Sequence, residues 1–296
     1  ASNLQEQQLE ALRKKCQLIN EWAQTLQLET HFFIMDAEAF KQGERAEMTE
    51  EDCGTTQHYL LLDEFYRTSI VVAGCTPLWW YIPASFECDY ETYAQTLLTK
   101  RYLKEFNCID FGSPGQLPAA EFFSAGVWQL YKGIANPDKA LLKLLLLEVY
   151  ASEHPDTENL SKQFKADMYR TEASEDELDP YLQIYRRIEK YLLARNELDR
   201  LELLRRCFYA KAGIALSKLP QDIAETDKPE DFVKHELSSP RHWKRAFMHR
   251  LVAEWGWRRS QLLDLDNRQT WNFSQCKAEQ HKLTKEPVSY THLTLP

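Results

Sequence analysis

Glycine is scarce, with 9 residues in 296. A turn-rich β-sandwich draws on more, because its hairpins need the positive backbone angles that glycine adopts freely. Cysteine is present without organisation. Cys16, Cys53, Cys75, Cys88, Cys108, Cys207 and Cys276 are odd in number, scattered and without a C-x-x-C. That spacing argues against a zinc ribbon or a disulfide framework and fits a reducing, cytoplasmic setting. Positive charge is in deficit: 36 Lys and Arg against 45 Asp and Glu leave a net charge of −9. A nucleic-acid coat needs the opposite excess to displace counterions, so no nucleic-acid partner is expected. Only Thr68–Phe86 runs uncharged for about the width of a bilayer. Gly74, Pro77 and Pro83 break it, so it reads as a helix end, a turn and a short buried strand around Leu78–Ile82, with no transmembrane segment. Nucleotide and hydrolase signatures (G-x-x-x-x-G-K-[ST], G-x-G-x-x-G, H-E-x-x-H, G-x-S-x-G) are missing, and Gly112-Ser113-Pro114-Gly115 reads as a turn.

What is present is helix-forming. Hydrophobic residues at 44% suffice for a core, and Leu, Glu, Lys, Gln and Arg dominate the rest. Leu9, Leu12, Cys16, Ile19, Ala23 and Leu26 form one apolar stripe at steps of three and four. His31–Met35 is a continuous apolar run, too short for a helix and typical of a strand buried on both faces. Such a strand needs neighbours, and none of comparable strength follows. Its partners are expected upstream of Ala1, and the missing initiator Met agrees with an internal fragment. Further helices are expected from Thr55 or Thr56 to Ala73, over about Tyr90–Lys104 and over Ala119–Ile134. Others open at Asn136-Pro137-Asp138 and cover Pro180–Asn196, Leu198–Ser217, Trp243–Trp255 and about Arg258–Leu265. Residues 154–180 read as a polar loop holding a short helix, and Lys218–Pro240 as a linker. Val288–Pro296 resembles translated adaptor and is set aside.

Several residues carry chemistry or a plainer role. Asp36 directly follows the expected strand, where a carboxylate is held rigidly enough to grip a metal; equally, it caps the turn Ala37–Phe40. Lys139 and Lys143 lie four apart at a helix N-terminus with no acid three or four residues away. A phosphate would relieve their repulsion of roughly 0.2–0.5 kcal/mol; two solvated lysines are the alternative. Thr56, Gln57 and His58 place three hydrogen-bonding side chains in one helical turn, facing a ligand or capping the helix. Arginines interleave with Trp243, Trp255 and Trp257, a pattern of packed core with a basic rim. Asp264 and Asp266 sit late in the chain at a helix end and read as structural.

As strings, the residues resemble the class I adenylate cyclases of the enterobacterial type. Glu51 to Thr68, EDCGTTQHYLLLDEFYRT, is nearly the family's E-D-C-G-S-T-Q-H-x-L-L-L-D-E-F-Y-R-T. Glu121 to Lys132 resembles E-Y-F-G-[SA]-[SA]-L-W-x-L-Y-K, departing at Phe122, Ser124, Gly126 and Val127. Leu204–Tyr209, Glu254–Trp257 and Leu265–Arg268 extend the similarity to about residue 273.

The resemblance implies a mainly α chain: a remnant of a nucleotidyltransferase-like α/β domain at the N-terminus, followed by a helical domain. The implied division is residues 1–50 (catalytic remnant), 51–217 (helical nucleotide-binding region), 218–240 (linker), 241–287 (C-terminal helical segment) and 288–296 (tail). The implied reaction converts ATP into 3′,5′-cyclic AMP and pyrophosphate with Mg²⁺. By analogy Asp36 is the third carboxylate of the metal site, binding metal or drawing the proton from the 3′-hydroxyl. Thr56, Gln57, His58, Lys139 and Lys143 become substrate-binding candidates. The family's Gly-Ser … Ser-Asp-Leu-Asp motif, which supplies two more carboxylates, is not in this sequence, so the chain alone is expected to be inactive. The family's regulatory half, which answers to the sugar phosphotransferase system, is not in it either. A non-catalytic helical module that holds a nucleotide or a protein partner is the alternative reading.

Overall fold

A computed structural model describes residues 4–28, 30–43, 54–170, 178–218, 240–268 and 281. In chain order its helices are α1 (Glu6–Thr25), α2 (Ala37–Lys41), α3 (His58–Thr68), α4 (Tyr90–Thr99), α5 (Ala119–Lys132) and α6 (Pro137–Glu153), then α7 (Leu160–Met168), α8 (Pro180–Ala194), α9 (Leu198–Ala212), α10 (Pro240–Glu254) and α11 (Arg259–Asp266). Two strands, β1 (Thr76–Pro77) and β2 (Cys108–Ile109), pair in parallel. The architecture is mainly α. The chain forms two compact units: residues 1–121 with 159–169, and residues 122–158 with 170–296.

The first unit is built around aromatic side chains. Phe40, Leu62, Tyr66, Leu78, Trp79, Ile82, Tyr90 and Ala94 are buried together. Tyr66 stacks on Trp79 with ring centroids 4.3 Å apart. In the segment expected as a buried strand at Leu78–Ile82, Leu78, Trp79 and Ile82 are buried, but Trp80 is half-buried, Tyr81 is exposed and Leu78–Tyr81 is a turn of 3-10 helix. Prolines at 77 and 83 flank it and cannot donate to a ladder, so a strand there would lack hydrogen bonds at both ends.

Two further expectations need correction. His31–Met35 is not a strand, and Phe32, Phe33 and Met35 are exposed. Extended backbone becomes a strand only when a neighbour completes its hydrogen-bond ladder. Among the described residues the one ladder joins Thr76–Pro77 to Cys108–Ile109. The helix expected to reach Ala73 stops at Thr68, and Ser69 turns extended. Ile70, Val71 and Val72 are β-branched and exposed, so poor propensity there is not offset by burial.

The second unit packs α6, α8 and α9 against one another. Proline at the first position of α6 agrees with the expected start. From Ala140 to Tyr150 every residue of α6 except Lys143 is buried, so this helix is core nearly all round. Glu148, also buried, is paired by Arg200 and accepts a hydrogen bond from Tyr191. The tryptophan region is core only in part: Trp255 is buried and donates to Tyr185 Oη at 2.7 Å, Trp257 is half-buried and Trp243 is exposed, and Arg245 donates to the carbonyls of Ala215 and Leu216. Asp266 accepts from Tyr209 Oη at 2.7 Å and from the Ser217 backbone at 2.8 Å, a structural anchor as read. The linker from residue 219 onward and the tail at 288–296 lie outside the described residues.

Candidate functional site

The first unit contains an open cleft of about 550 Å³. Its walls come from α2, the start of α3, residues 87–92 and the loop 111–116, closed by Lys162 of α7. That volume is in the range of small-molecule sites. Each wall is fixed by a buried or half-buried charge.

Glu121 of α5 fixes the α3 wall. Its carboxylate accepts from the backbone N–H groups of Tyr59 at 3.1 Å and Leu60 at 2.9 Å. These belong to the first turn of α3, whose amides have no partner within the helix. Burial raises the Glu121 pKa above its ordinary value by more than the two amides lower it. Asp63, also buried, accepts at 2.8 Å from the backbone of Ser161 in the first turn of α7. Two helix N-termini are thus held by carboxylates distant in sequence.

Asp110 fixes the α2 wall. It accepts from Lys41 Nζ at 2.7 Å, Tyr90 Oη at 2.6 Å and the Gly112 backbone at 2.9 Å. Burial alone would raise its pKa, but these bonds and the lysine charge outweigh burial and hold the carboxyl below its ordinary value. Burial and the neighbouring Asp110 push the Tyr90 phenol far up, so it stays a donor. Gly112 has φ +84°, and a Cβ there would meet Lys41 Cγ at 3.4 Å, so the loop needs glycine at that place.

Glu87 and Lys165 fix the floor. Lys165 is fully buried, donates to the Trp79 carbonyl at 2.7 Å and lies 3.4 Å from Glu87. Its ammonium is 3.9 Å from the centre of the Trp79 ring. Burial lowers its pKa against the raising effect of Glu87. Glu87 also accepts from Trp79 Nε1 and from Ser113 Oγ, both at 2.7 Å. One carboxylate therefore ties together the Trp79 turn, the loop and α7.

Of the residues singled out from sequence, His58 lines the cleft, edge-on to Phe40 and Tyr59 with ring centroids 5.1 Å away in each case. Thr56 is exposed and Gln57 buried; neither lines it. Asp36 caps α2, its Oδ1 accepting from Glu38 and Ala39 N–H at 3.0 Å each. It lies outside the cleft lining, five residues before Lys41. Lys139 is exposed and Lys143 half-buried on α6, in the second unit. Lys41, Tyr90, Asp110, Ser113 and Lys162 were not foreseen. Their only sequence signal is the Gly/Pro loop at 111–118, because the partners lie 20 to 69 residues apart.

The described residues do not by themselves fit a magnesium site. Among them no three His, Cys, Asp or Glu side chains gather around one point, and Asp36 commits one carboxylate oxygen to the helix cap.

Comparison with known proteins gives a concordant result. Residues 1–80 match the family model described as the adenylate cyclase NT domain, and residues 117–295 match that of the second domain of class-I adenylate cyclase. The chain is 38% identical to the adenylate cyclase of Escherichia coli K12 over 280 residues, covering 95% of this chain and 31% of that protein. It is 38% identical to the adenylate cyclase of Salmonella typhimurium and 36% identical to that of Yersinia intermedia, each over 92% of this chain and 30% of the relative. It thus spans about a third of the length of these relatives. No solved structure matches. Glu121, the first residue of the string EFFSAGVWQLYK, accepts from Tyr59 and Leu60, which directly follow the string EDCGTTQH in sequence. The chain belongs to the class I adenylate cyclase family.

Proposed function

We propose that this chain is part of an enzyme that converts ATP into 3′,5′-cyclic AMP and pyrophosphate. One observation carries the reading: similarity to adenylate cyclases runs through 95% of the chain, across both units. In the proposed reaction the ribose 3′-oxygen bonds to the α-phosphorus while the bond from that phosphorus to the β-phosphate bridging oxygen breaks. Asp36 is proposed to draw the proton from the 3′-hydroxyl. Thr56, Gln57 and His58 are proposed to contact the nucleotide, supported by the place of His58 in the cleft wall. Lys139 and Lys143 are proposed to meet phosphate charge. Mg²⁺ belongs to the proposal for the whole enzyme, with Asp36 as one ligand; since the described residues do not complete a metal site, no step is routed through it.

The exposed apolar surface of α1 (Leu18 and Trp22), of Leu26 just after it and of Phe32 and Phe33 supports a nucleotidyltransferase-like α/β layer in the whole enzyme, against which these side chains would pack. A cytoplasmic location is proposed. Among the described residues no helix is long and apolar enough to cross a membrane. Control by the sugar phosphotransferase system is likewise proposed for the whole enzyme.

The test is to express the complete protein that contains this chain and supply it with ATP and Mg²⁺. Cyclic AMP and pyrophosphate in equal amounts are expected. ATP binding without turnover would overturn the reading in favour of a holding module.

A further inference from the structure

The first turn of α3 is held from afar. Gln57 occupies its N-cap position, but the Gln57 side chain makes no capping hydrogen bond. The acceptor is Glu121, whose two carboxylate oxygens take the amides of Tyr59 and Leu60, one each. His58 opens the helix and is buried, so its ring goes where that turn is fixed. The ring stands edge-on to Phe40, with centroids 5.1 Å apart, and Phe40 meets Phe111 on another side at 5.4 Å. Phe40 is buried on α2, and its amide donates to the Asp36 carbonyl at 2.9 Å in the turn that Asp36 caps. A continuous line of contacts therefore leads from the Glu121 carboxylate to the Asp36 backbone, all within the first unit. Its members are buried and packed, so a shift at one end is passed on rather than absorbed. With five residues, α2 is too short to persist on its own hydrogen bonds. It takes its place from Phe40 and, at the end away from Asp36, from Lys41 on Asp110.

We propose that Glu121 is a positioning residue for the cyclisation: through His58 and Phe40 it sets where α2 presents Asp36. The inference rests on the role proposed above for Asp36, drawing the proton from the 3′-hydroxyl. A base that must meet one hydroxyl tolerates little displacement, since an error of about 1 Å can cost of the order of a hundredfold in rate. Glu121 lies outside the cleft lining and is not asked to touch the nucleotide. Its effect is therefore expected on turnover, not on the number of nucleotide sites.

The complete protein that contains this chain is compared with Glu121→Asp, Glu121→Gln, Phe40→Leu and the pair Glu121→Asp with Phe40→Leu. Turnover of ATP is measured beside the number of 3′-deoxy-ATP molecules bound per chain. That analogue lacks the attacking hydroxyl, so it counts folded sites without reaction. Glu121→Asp keeps the charge and withdraws it by one methylene, about 1.5 Å. Its kcat is expected to fall about 10- to 100-fold with the count of sites unchanged, while Glu121→Gln, which keeps the length, stays within about threefold of wild type. Phe40→Leu should also lower kcat, and the pair should be no slower than the slower single variant, because both break one line. A normal kcat in Glu121→Asp, loss of sites in proportion to kcat, or additive effects in the pair would each overturn the inference. Asp36→Asn separates the two claims. Near-normal turnover there, or none in wild type, sinks the role of Asp36 and this inference with it; a crippled Asp36→Asn beside an unaffected Glu121→Asp sinks the inference alone.

Discussion

Glu121 offers the sharpest quantitative test, because one carboxylate holds two amides of the α3 N-terminus. A hydrogen bond to a charged acceptor is worth about 1.5–3 kcal/mol, so the two bonds total roughly 3–6 kcal/mol before the cost of burying the charge. That cost is substantial, since burial raises the Glu121 pKa despite both bonds. Glu121→Ala removes the bonds and leaves two first-turn amides to find water, an expected net loss of about 2–4 kcal/mol. Glu121→Gln keeps one carbonyl acceptor and removes the buried charge, so a change within about 1 kcal/mol is expected. Hydrogen exchange over His58–Thr68 reads the effect locally. At tenfold per 1.4 kcal/mol, the Ala variant should exchange there roughly 30- to 700-fold faster. The pH dependence adds a sign. A carboxyl whose folded pKa is raised contributes stability below its unfolded pKa and loses it as pH rises through the folded value. The stability difference between Gln and wild type should therefore move in favour of Gln as pH rises from about 4 to 7. If Gln proves as damaging as Ala, or the difference is flat with pH, the assignment of Glu121 as a buried, charged helix cap is wrong.

Two further substitutions separate roles that share one side chain or one wall. Asn caps a helix as well as Asp, so Asp36→Asn should leave urea stability within a few tenths of a kcal/mol, whereas Asp36→Ala should cost about 1 kcal/mol. In the complete cyclase, Asp36→Asn should still lower turnover by several orders of magnitude; near-normal turnover would leave Asp36 with the cap alone. For Asp110, whose folded pKa is depressed, the stabilising contribution is present above the unfolded pKa and is lost as pH falls through the folded value. Asp110→Asn should accordingly be less stable than wild type at pH 7, with the two urea-denaturation curves converging as pH drops below about 4. Parallel curves across that range would remove the Lys41–Asp110 pair as a stabilising element.

The legible parts of the fold were those with local causes. The α6 start followed from Asn136-Pro137, and α8 opens at the expected Pro180, where the Asp179 side chain accepts from two first-turn amides; such signals act within a few residues. His31–Met35 misled because an apolar run reports the wish for burial and says nothing of whether a ladder partner is present. Leu78–Ile82 was read as a buried strand; Leu78, Trp79 and Ile82 are buried, but the flanking prolines leave a 3-10 turn that points Tyr81 out to solvent. The cleft was largely invisible. Lys41 and Asp110, or Glu121 and Tyr59, are 69 and 62 residues apart, and no periodicity links them. His58 was found through its neighbours in a polar turn, and the residues that hold that turn in place were found only in three dimensions.

Helix α7 joins the first unit although α5, α6 and the loop before it separate it from the rest of that unit in sequence. During synthesis, therefore, Asp63, Trp79 and Glu87 emerge from the ribosome long before Ser161 and Lys165 arrive to complete them. A nascent chain paused anywhere between residues 121 and 159 would hold two acids and a tryptophan in a half-made interior. Truncation designs that cut there would inherit the same defect.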